Sequence, residues 1–301
     1  MAQTLLEAAK LNSGDVYKAG VFMKFAETSE ILRVLPFEGI GGNSLRYNVE
    51  ETLPGIGFRG VNESFDESTG IINPKVESLT IAGGDLDVDK FIVDTMGTDQ
   101  RAVQEAMKIK ALALAWTRVF IKGDSESDPR EFDGLQKRLT GDALIANHAT
   151  GAGLSLAKLD EAIDAVDGAT HIIMSKSVRR RLTVAARTAA VGGNITYTLD
   201  EFGRQVAKYN DIPILIADKD NTNTEILGYT EAGSTTSIYV VAFGEGEVSG
   251  LENGGMDVRD LGELESKPAF RTRVEWYSGM GVFAPRTAAR LKNITDAAVT
   301  L

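Results

Sequence analysis

Between Pro36 and Thr80 the apolar residues come one at a time. Leu45, Tyr47 and Val49 alternate with Arg46, Asn48 and Glu50, the period-two pattern of a half-buried strand. The 45-residue segment holds seven glycines and three of the chain's seven prolines, Pro36, Pro54 and Pro74. A structureless loop of that length does not fit a compact domain. The pattern predicts a β arm that leaves the body and finds its packing partner on another molecule, which puts assembly ahead of catalysis as the first hypothesis.

Around the arm the pattern predicts a body of helices and strands. Residues 2–10 predict a short amphipathic helix stopped by Asn12-Ser13-Gly14. Asp85, Asp87 and Asp89 alternate with Leu86 and Val88, with Phe91 and Val93 following, and predict a strand with one acidic, solvated face. From about Asp99 to about Lys122 no Gly or Pro interrupts a run rich in strong helix formers. It carries two apolar stripes, Val103, Met107, Ala111, Leu114 and Ile109, Leu112, Trp116, Phe120, and two stripes predict a helix packed on more than one side, a spine. The Gly/Ala/Asn-rich stretch before residue 150 predicts a domain boundary. Beyond it come an α/β unit with helices capped by Ser155 and Ser177, a third helix over Leu199 to Tyr209, and strands at His171–Met174, Ile212–Asp218 and Thr235–Phe243. From about Val248 the chain is strand-rich. Arg271–Trp276 and Gly281–Ala284, separated by a Ser-Gly turn, are predicted to return to the spine.

Composition narrows the function. The 301 residues, 43% hydrophobic and 25% charged, have material for about two domains with a real core. No run approaches the ~18 apolar residues of a membrane helix, and the first twenty residues lack a secretory signal's apolar core. No cysteine is present, which excludes disulfides and thiolate catalysis. A net charge of −11 argues against a protein whose main task is gripping nucleic acid, though not against enclosing it.

The strings that could carry chemistry lack the context it needs. Gly55-Ile-Gly57-Phe-Arg-Gly60 fits a phosphate-loop string, but Leu53-Pro54 precedes it and polar residues follow where a helix must begin. Gly153-Leu-Ser155-Leu-Ala157 nearly fits a nucleophile elbow, but no strand precedes it and His171 lies too close downstream. The Asp85, Asp87, Asp89 run has Lys90 where a calcium loop turns on glycine. His148 and His171 lack a metal-ligand spacing. Arg179, Arg180 and Arg181 form the densest basic run; a solvated helix, a subunit contact and contact with enclosed nucleic acid all remain open for it. No nucleophile, base and orienter can be assembled, so no enzyme activity, cofactor or metal is expected.

The order of parts resembles the major capsid proteins of tailed bacteriophages, which share the Hong Kong 97-type fold. Residues 1–35 resemble the family's N-terminal arm, 36–80 its extended β-hairpin E-loop, and 81–150 its peripheral domain with the spine helix at 98–122. Residues 151–245 resemble the inserted α/β axial domain and 246–301 the strands completing the peripheral domain. The stretches Lys122 to Gln136 and Val274 to Leu291 carry the likeness in detail. The resemblance implies an α+β structural protein whose hexamers and pentamers close an icosahedral shell around double-stranded DNA, without sequence-specific binding and without a membrane. The implied place is the virion, after assembly in the bacterial host cytoplasm. A separate scaffolding protein, a portal and a decoration protein are implied partners. Leu45, Tyr47, Phe58, Arg59 and Phe65 of the E-loop are the expected subunit contacts. The sole lysine of the arm, Lys75, stands near its base, so no covalent cross-link is expected. The alternatives are an encapsulin-type nanocompartment with an enzyme cargo and, from another class, a soluble α/β enzyme.

Overall fold

The computed structural model describes residues 3–4, 28–96, 99–187, 195–199 and 205–300. Most of the helix expected over residues 2–10 lies outside these, but Gln3–Thr4 is a strand, β1, paired antiparallel with Pro36–Phe37. A short helix, α1 (Glu30–Val34), leads into β2 (Pro36–Gly39). Ile31, Leu32 and Leu35 are fully buried, so the end of the expected N-terminal arm belongs to the body's core. Next come the ribbon strands β3 (Ser44–Thr52) and β4 (Ile71–Ser78), then β5 (Thr80–Asp89) and α2 (Lys90–Met96). The turn into α2, where a continuing strand was expected, is made by Asp89 Oδ1 accepting the Phe91 N–H at 2.8 Å.

The spine helix α3 runs Asp99–Lys122, 24 residues and so roughly 36 Å. The stripe of Ile109, Trp116 and Phe120, with Ala113, is buried. The other stripe is open only at its start: Val103 is 52% and Met107 59% exposed, while Ala111 and Leu114 are half-buried and Thr117 and Ile121 further along are buried. The first half of the helix therefore packs on one side and the second half on more. Trp116 sits at the centre of an aromatic cluster, with ring centroids 5.3 Å from Phe120, 5.6 Å from Phe37 and 5.6 Å from Trp276. Its indole N–H donates to Ser278 Oγ at 3.0 Å.

After α4 (Leu135–Arg138) and β6 (Leu144–Ala146) the chain builds α5 (Leu156–Asp164), β7 (His171–Met174) and α6 (Lys176–Ala185). Ser175 rather than Ser177 caps α6, accepting the Val178 N–H at 3.2 Å. The helix expected over Leu199 to Tyr209 is instead a hairpin of β8 (Ile195–Leu199) and β9 (Gln205–Tyr209). Ala207 and Tyr209 bury inward, and β9 pairs on with β10 (Ile212–Ile216). Then follow β11 (Thr236–Val241), β12 (Val248–Glu263), β13 (Ala269–Val282) and β14 (Ala288–Ile294). No turn breaks β13 at Ser278-Gly279; the strand runs through because small residues there admit the Trp116 indole and the side chains of Leu79 and Leu251.

Two sheets result. One has five strands in the order β1-β2-β12-β13-β5; the other has seven, β6-β14-β11-β7-β10-β9-β8. The last strand of the expected peripheral return, β14, and the earlier β6 therefore lie in the sheet of the inserted unit. Helices α5 and α6 cover one face of that sheet, where Leu159, Val178 and Leu182 meet Ile172, Ile238 and Val240. The alternate side chains Ile173, Leu215, Tyr239 and Val241 join the spine's core instead. In the five-stranded sheet, a register break between Glu252 and Met256 is turned by Gly254 and Gly255 at φ 79° and 74°, a bulge that only glycine enters without strain. No helix among the described residues is long and apolar enough to cross a membrane.

Candidate assembly surface

The arm leaves the body after Ile40 and returns at Leu79, whose N–H donates to Asn43 O at 2.8 Å. Its strands β3 and β4 pair with each other alone, Tyr47 opposite Lys75 and Asn48 opposite Pro74, a two-stranded ribbon where proline costs little. The predicted alternation is realised: Leu45, Tyr47 and Val49 are half-buried while Arg46 and Asn48 are exposed. Tyr47 turns toward its own chain, however. Its hydroxyl donates to Glu77 Oε1 at 2.9 Å and to Val282 O at 3.1 Å, and its ring meets Phe283 edge-on at 4.7 Å. Arg138 grips Glu77 with both terminal nitrogens, one at 2.6 Å, and its Nε donates to Asp133 O at 2.7 Å. Burial and the Glu77 carboxylate push the Tyr47 phenol well above its ordinary range. Tyr47 thus anchors the arm's base to its own body.

The tip differs. Every residue from 53 to 70 is exposed, and its apolar side chains lie largely in solvent: Ile56 is 90% and Phe58 104% exposed. The tip nevertheless holds a local shape. Arg59 Nη1 donates to Glu63 O at 3.0 Å and its guanidinium lies 5.1 Å from the Phe65 ring. The Gly60 N–H donates to Glu63 Oε2 at 2.7 Å, and Ser68 Oγ to Gly55 O at 2.7 Å. The glycine string is therefore the arm's tip, with no helix after it. Burying an exposed large apolar side chain is worth roughly 1.5–3 kcal/mol. Leu53, Ile56, Phe58, Val61 and Phe65 together would release on the order of 10 kcal/mol of gross stabilisation on burial, before ordering costs. Ile81, Phe91, Val103 and Met107, around the start of the spine, are exposed apolar positions as well.

The other sequence candidates resolve into structure. Asp85 and Asp87 are ion-paired, not merely solvated. Arg273 embraces Asp85 at 2.7 and 2.9 Å, Arg271 embraces Asp87 at 2.6 and 2.8 Å, and Lys267 pairs with Asp87 at 2.5 Å. Hydrogen bonds from those guanidiniums hold both carboxyls below their usual range. The signal was present in sequence, since Asp-x-Asp on β5 and Arg-x-Arg on β13 share one register face. Ser155 precedes α5, its N–H donating to Asn147 Oδ1 at 2.8 Å. Neither histidine hydrogen-bonds to it: His148 Nδ1 accepts the Thr150 N–H, and His171 Nδ1 meets Thr170 Oγ1. Burial pulls the His171 imidazole down to about 4, against Phe243 at 5.2 Å. No cluster of three metal-ligating side chains occurs among the described residues.

No protein-family model and no curated protein matches the sequence. Solved structures do. The holo-SrpI encapsulin complex from Synechococcus elongatus is 17% identical, with a TM-score of 0.67 over 90% of this chain and 89% of that one. The capsid of a native GTA particle is 16% identical, with a TM-score of 0.63 over 89% and 91%. A structure from Mycobacterium phage Bobi is 13% identical, with a TM-score of 0.61 over 87% and 90%. At these identities the likeness is one of architecture, and it spans nearly the whole of each chain. The chain has the Hong Kong 97-type fold.

Proposed function

We propose that the chain is a structural shell subunit. Its copies assemble as hexamers and pentamers into a closed icosahedral capsid around double-stranded DNA, and it has no catalytic role. The observation that carries this reading is an arm fixed at its base to its own body while its tip exposes five large apolar side chains. A neighbouring copy is the partner that occurs at the right stoichiometry for every arm, and repetition around a closed shell turns modest contacts into a strong assembly. In this role Phe58, Phe65 and Arg59 are intersubunit contacts, Leu45 stiffens the ribbon and Tyr47 sets its root. A scaffolding protein, a portal and a decoration protein are the partners the reading calls for, and the virion, filled after assembly in a bacterial cytoplasm, is its place.

A second reading is an encapsulin-type compartment with an enzyme cargo, favoured by the TM-score of 0.67 to the encapsulin structure. Electron microscopy of the purified full-length protein tests the shared part, because closed particles are expected and persistent monomers would sink it. Particles that carry DNA support the capsid. Nucleic acid-free particles that co-purify with an enzyme support the compartment. Replacing residues 53–70 by a short Gly-Ser turn should leave a folded monomer that closes no shell.

A further inference from the structure

Helix α6 carries a basic face with no direct ion pair to most of its arginines among the described residues. The helix is firmly seated: Ser175 caps it, Val178 and Leu182 are buried against the sheet, and Thr183 Oγ1 donates to Arg179 O at 2.9 Å. Of its three consecutive arginines, one is engaged, Arg181, whose Nε donates to Asp296 Oδ1 at 2.8 Å and whose Nη2 donates to Asp296 O at 3.1 Å. Arg179 and Arg180 are exposed; Arg180 hydrogen-bonds Ser177 Oγ at 3.4 Å and feels the charge of Asp296 without bonding to it. Arg187, just past the helix, is exposed too. None of these three meets a carboxylate among the described residues. By contrast Arg101, Arg118, Arg138, Arg259, Arg271, Arg273, Arg286 and Arg290 each hold one. Arg46, Arg59 and Arg130 also lack a carboxylate but stand singly.

In a chain of net charge −11, three guanidiniums without a bonded carboxylate among the described residues are a local exception. Arg179 and Arg180 are set ~100° apart on the helix, and Arg187 follows on the turn that closes it, its N–H donating to Val184 O at 3.2 Å. Guanidinium is the side chain best matched to phosphate, through paired N–H donors in a planar fork. A contact between copies would need a desolvated apolar centre. The face offers one exposed apolar side chain, Val184, while the arm tip offers five.

We propose that Arg179, Arg180 and Arg187 bind the phosphate backbone of double-stranded nucleic acid, sequence-independently. The inference rests on the shell reading and adds which surface meets the enclosed polyanion. The test uses full-length unassembled subunits and a short duplex DNA, with binding followed by fluorescence anisotropy from about 50 to about 200 mM salt. Replacing all three by Gln should weaken binding at least tenfold and flatten the log–log salt slope by about 2–3, at ~0.9 for each phosphate no longer neutralised. A triple Arg→Lys variant should keep most of the slope, because charge carries it. Wild-type subunits that do not bind duplex, or a Gln variant that binds with the wild-type slope, would overturn the inference. So would a Gln variant that binds normally but forms no particles where the wild type does, since the face would then be a subunit contact. The shell reading fails on a different result, absence of wild-type particles, and the two failures are read separately.

Discussion

Glu77 joins side chains from distant parts of the chain, accepting Tyr47 from the arm's outgoing strand and Arg138 from α4. The Arg138 and Glu77 side chains are 17% and 12% exposed, so removing the carboxylate strands a largely buried guanidinium. Glu77→Ala is expected to cost about 3 kcal/mol in urea unfolding, and Tyr47→Phe about 1 kcal/mol, one hydrogen bond. A Glu77→Ala variant as stable as wild type would mean that the arm is not rooted through this carboxylate. His171 supplies a pH dependence. Its folded value of about 4 lies below the ~6.5 of an unfolded histidine, so the unfolded chain binds the proton first. Stability is therefore complete above pH ~6.5 and falls toward pH ~4, by up to ~3 kcal/mol. His171→Gln should lose that slope between those two pH values while the remaining acid sensitivity stays. Sequence shows a histidine between Thr170 and Ile172 but not the Phe243 ring it packs on, which arrives just after β11, some seventy residues later.

Element-level packing separates the half of the spine buried in the chain from the half left exposed. Trp116→Ala empties the centre of the aromatic cluster and should cost about 3–5 kcal/mol. Val103→Ser with Met107→Ser should cost less than about 1 kcal/mol of unfolding free energy, because each is more than half exposed, while reducing the yield of closed particles in sedimentation. If the double variant instead destabilises the monomer, the exposed stripe is part of the core and not an assembly surface. The spine's ends and its two stripes were legible in sequence, since helix propensity and a 3.6 period survive any environment. Which stripe meets its own chain was not, because that depends on where β13 and β2 lie. The β8–β9 hairpin was misread for a related reason. Leu199 to Tyr209 favours a helix locally, but Val206, Ala207, Lys208 and Tyr209 alternate in burial, and pairing with β10 outweighs weak propensity.

At the scale of the whole molecule, the alternating helices and strands after residue 150 made the inserted unit visible as composition, but not its closure. Its sheet takes β6 from before that boundary and β14 from after β13. Strand β14 lies between β6 and β11, with Ile238 opposite Leu291 and Val240 opposite Ala289, so it is an interior member. The sheet's second face shares a core with the spine: Ile173, Leu215, Tyr239 and Val241 stand with Trp116, Phe120 and Trp276. A fragment of residues 151–245 would therefore lose one neighbour of β11 along its length and expose an apolar face on which the spine's core rests. It is expected not to fold, with weak β signal in far-ultraviolet circular dichroism and strong dye binding to exposed apolar surface. The full chain should unfold in one transition that fluorescence of Trp116 and Trp276 and circular dichroism trace together, because the two sheets cannot part without opening a common core. A soluble, cooperatively folding 151–245 fragment would contradict this, and would mean that the axial unit is a module inserted into the peripheral body and not a layer of it.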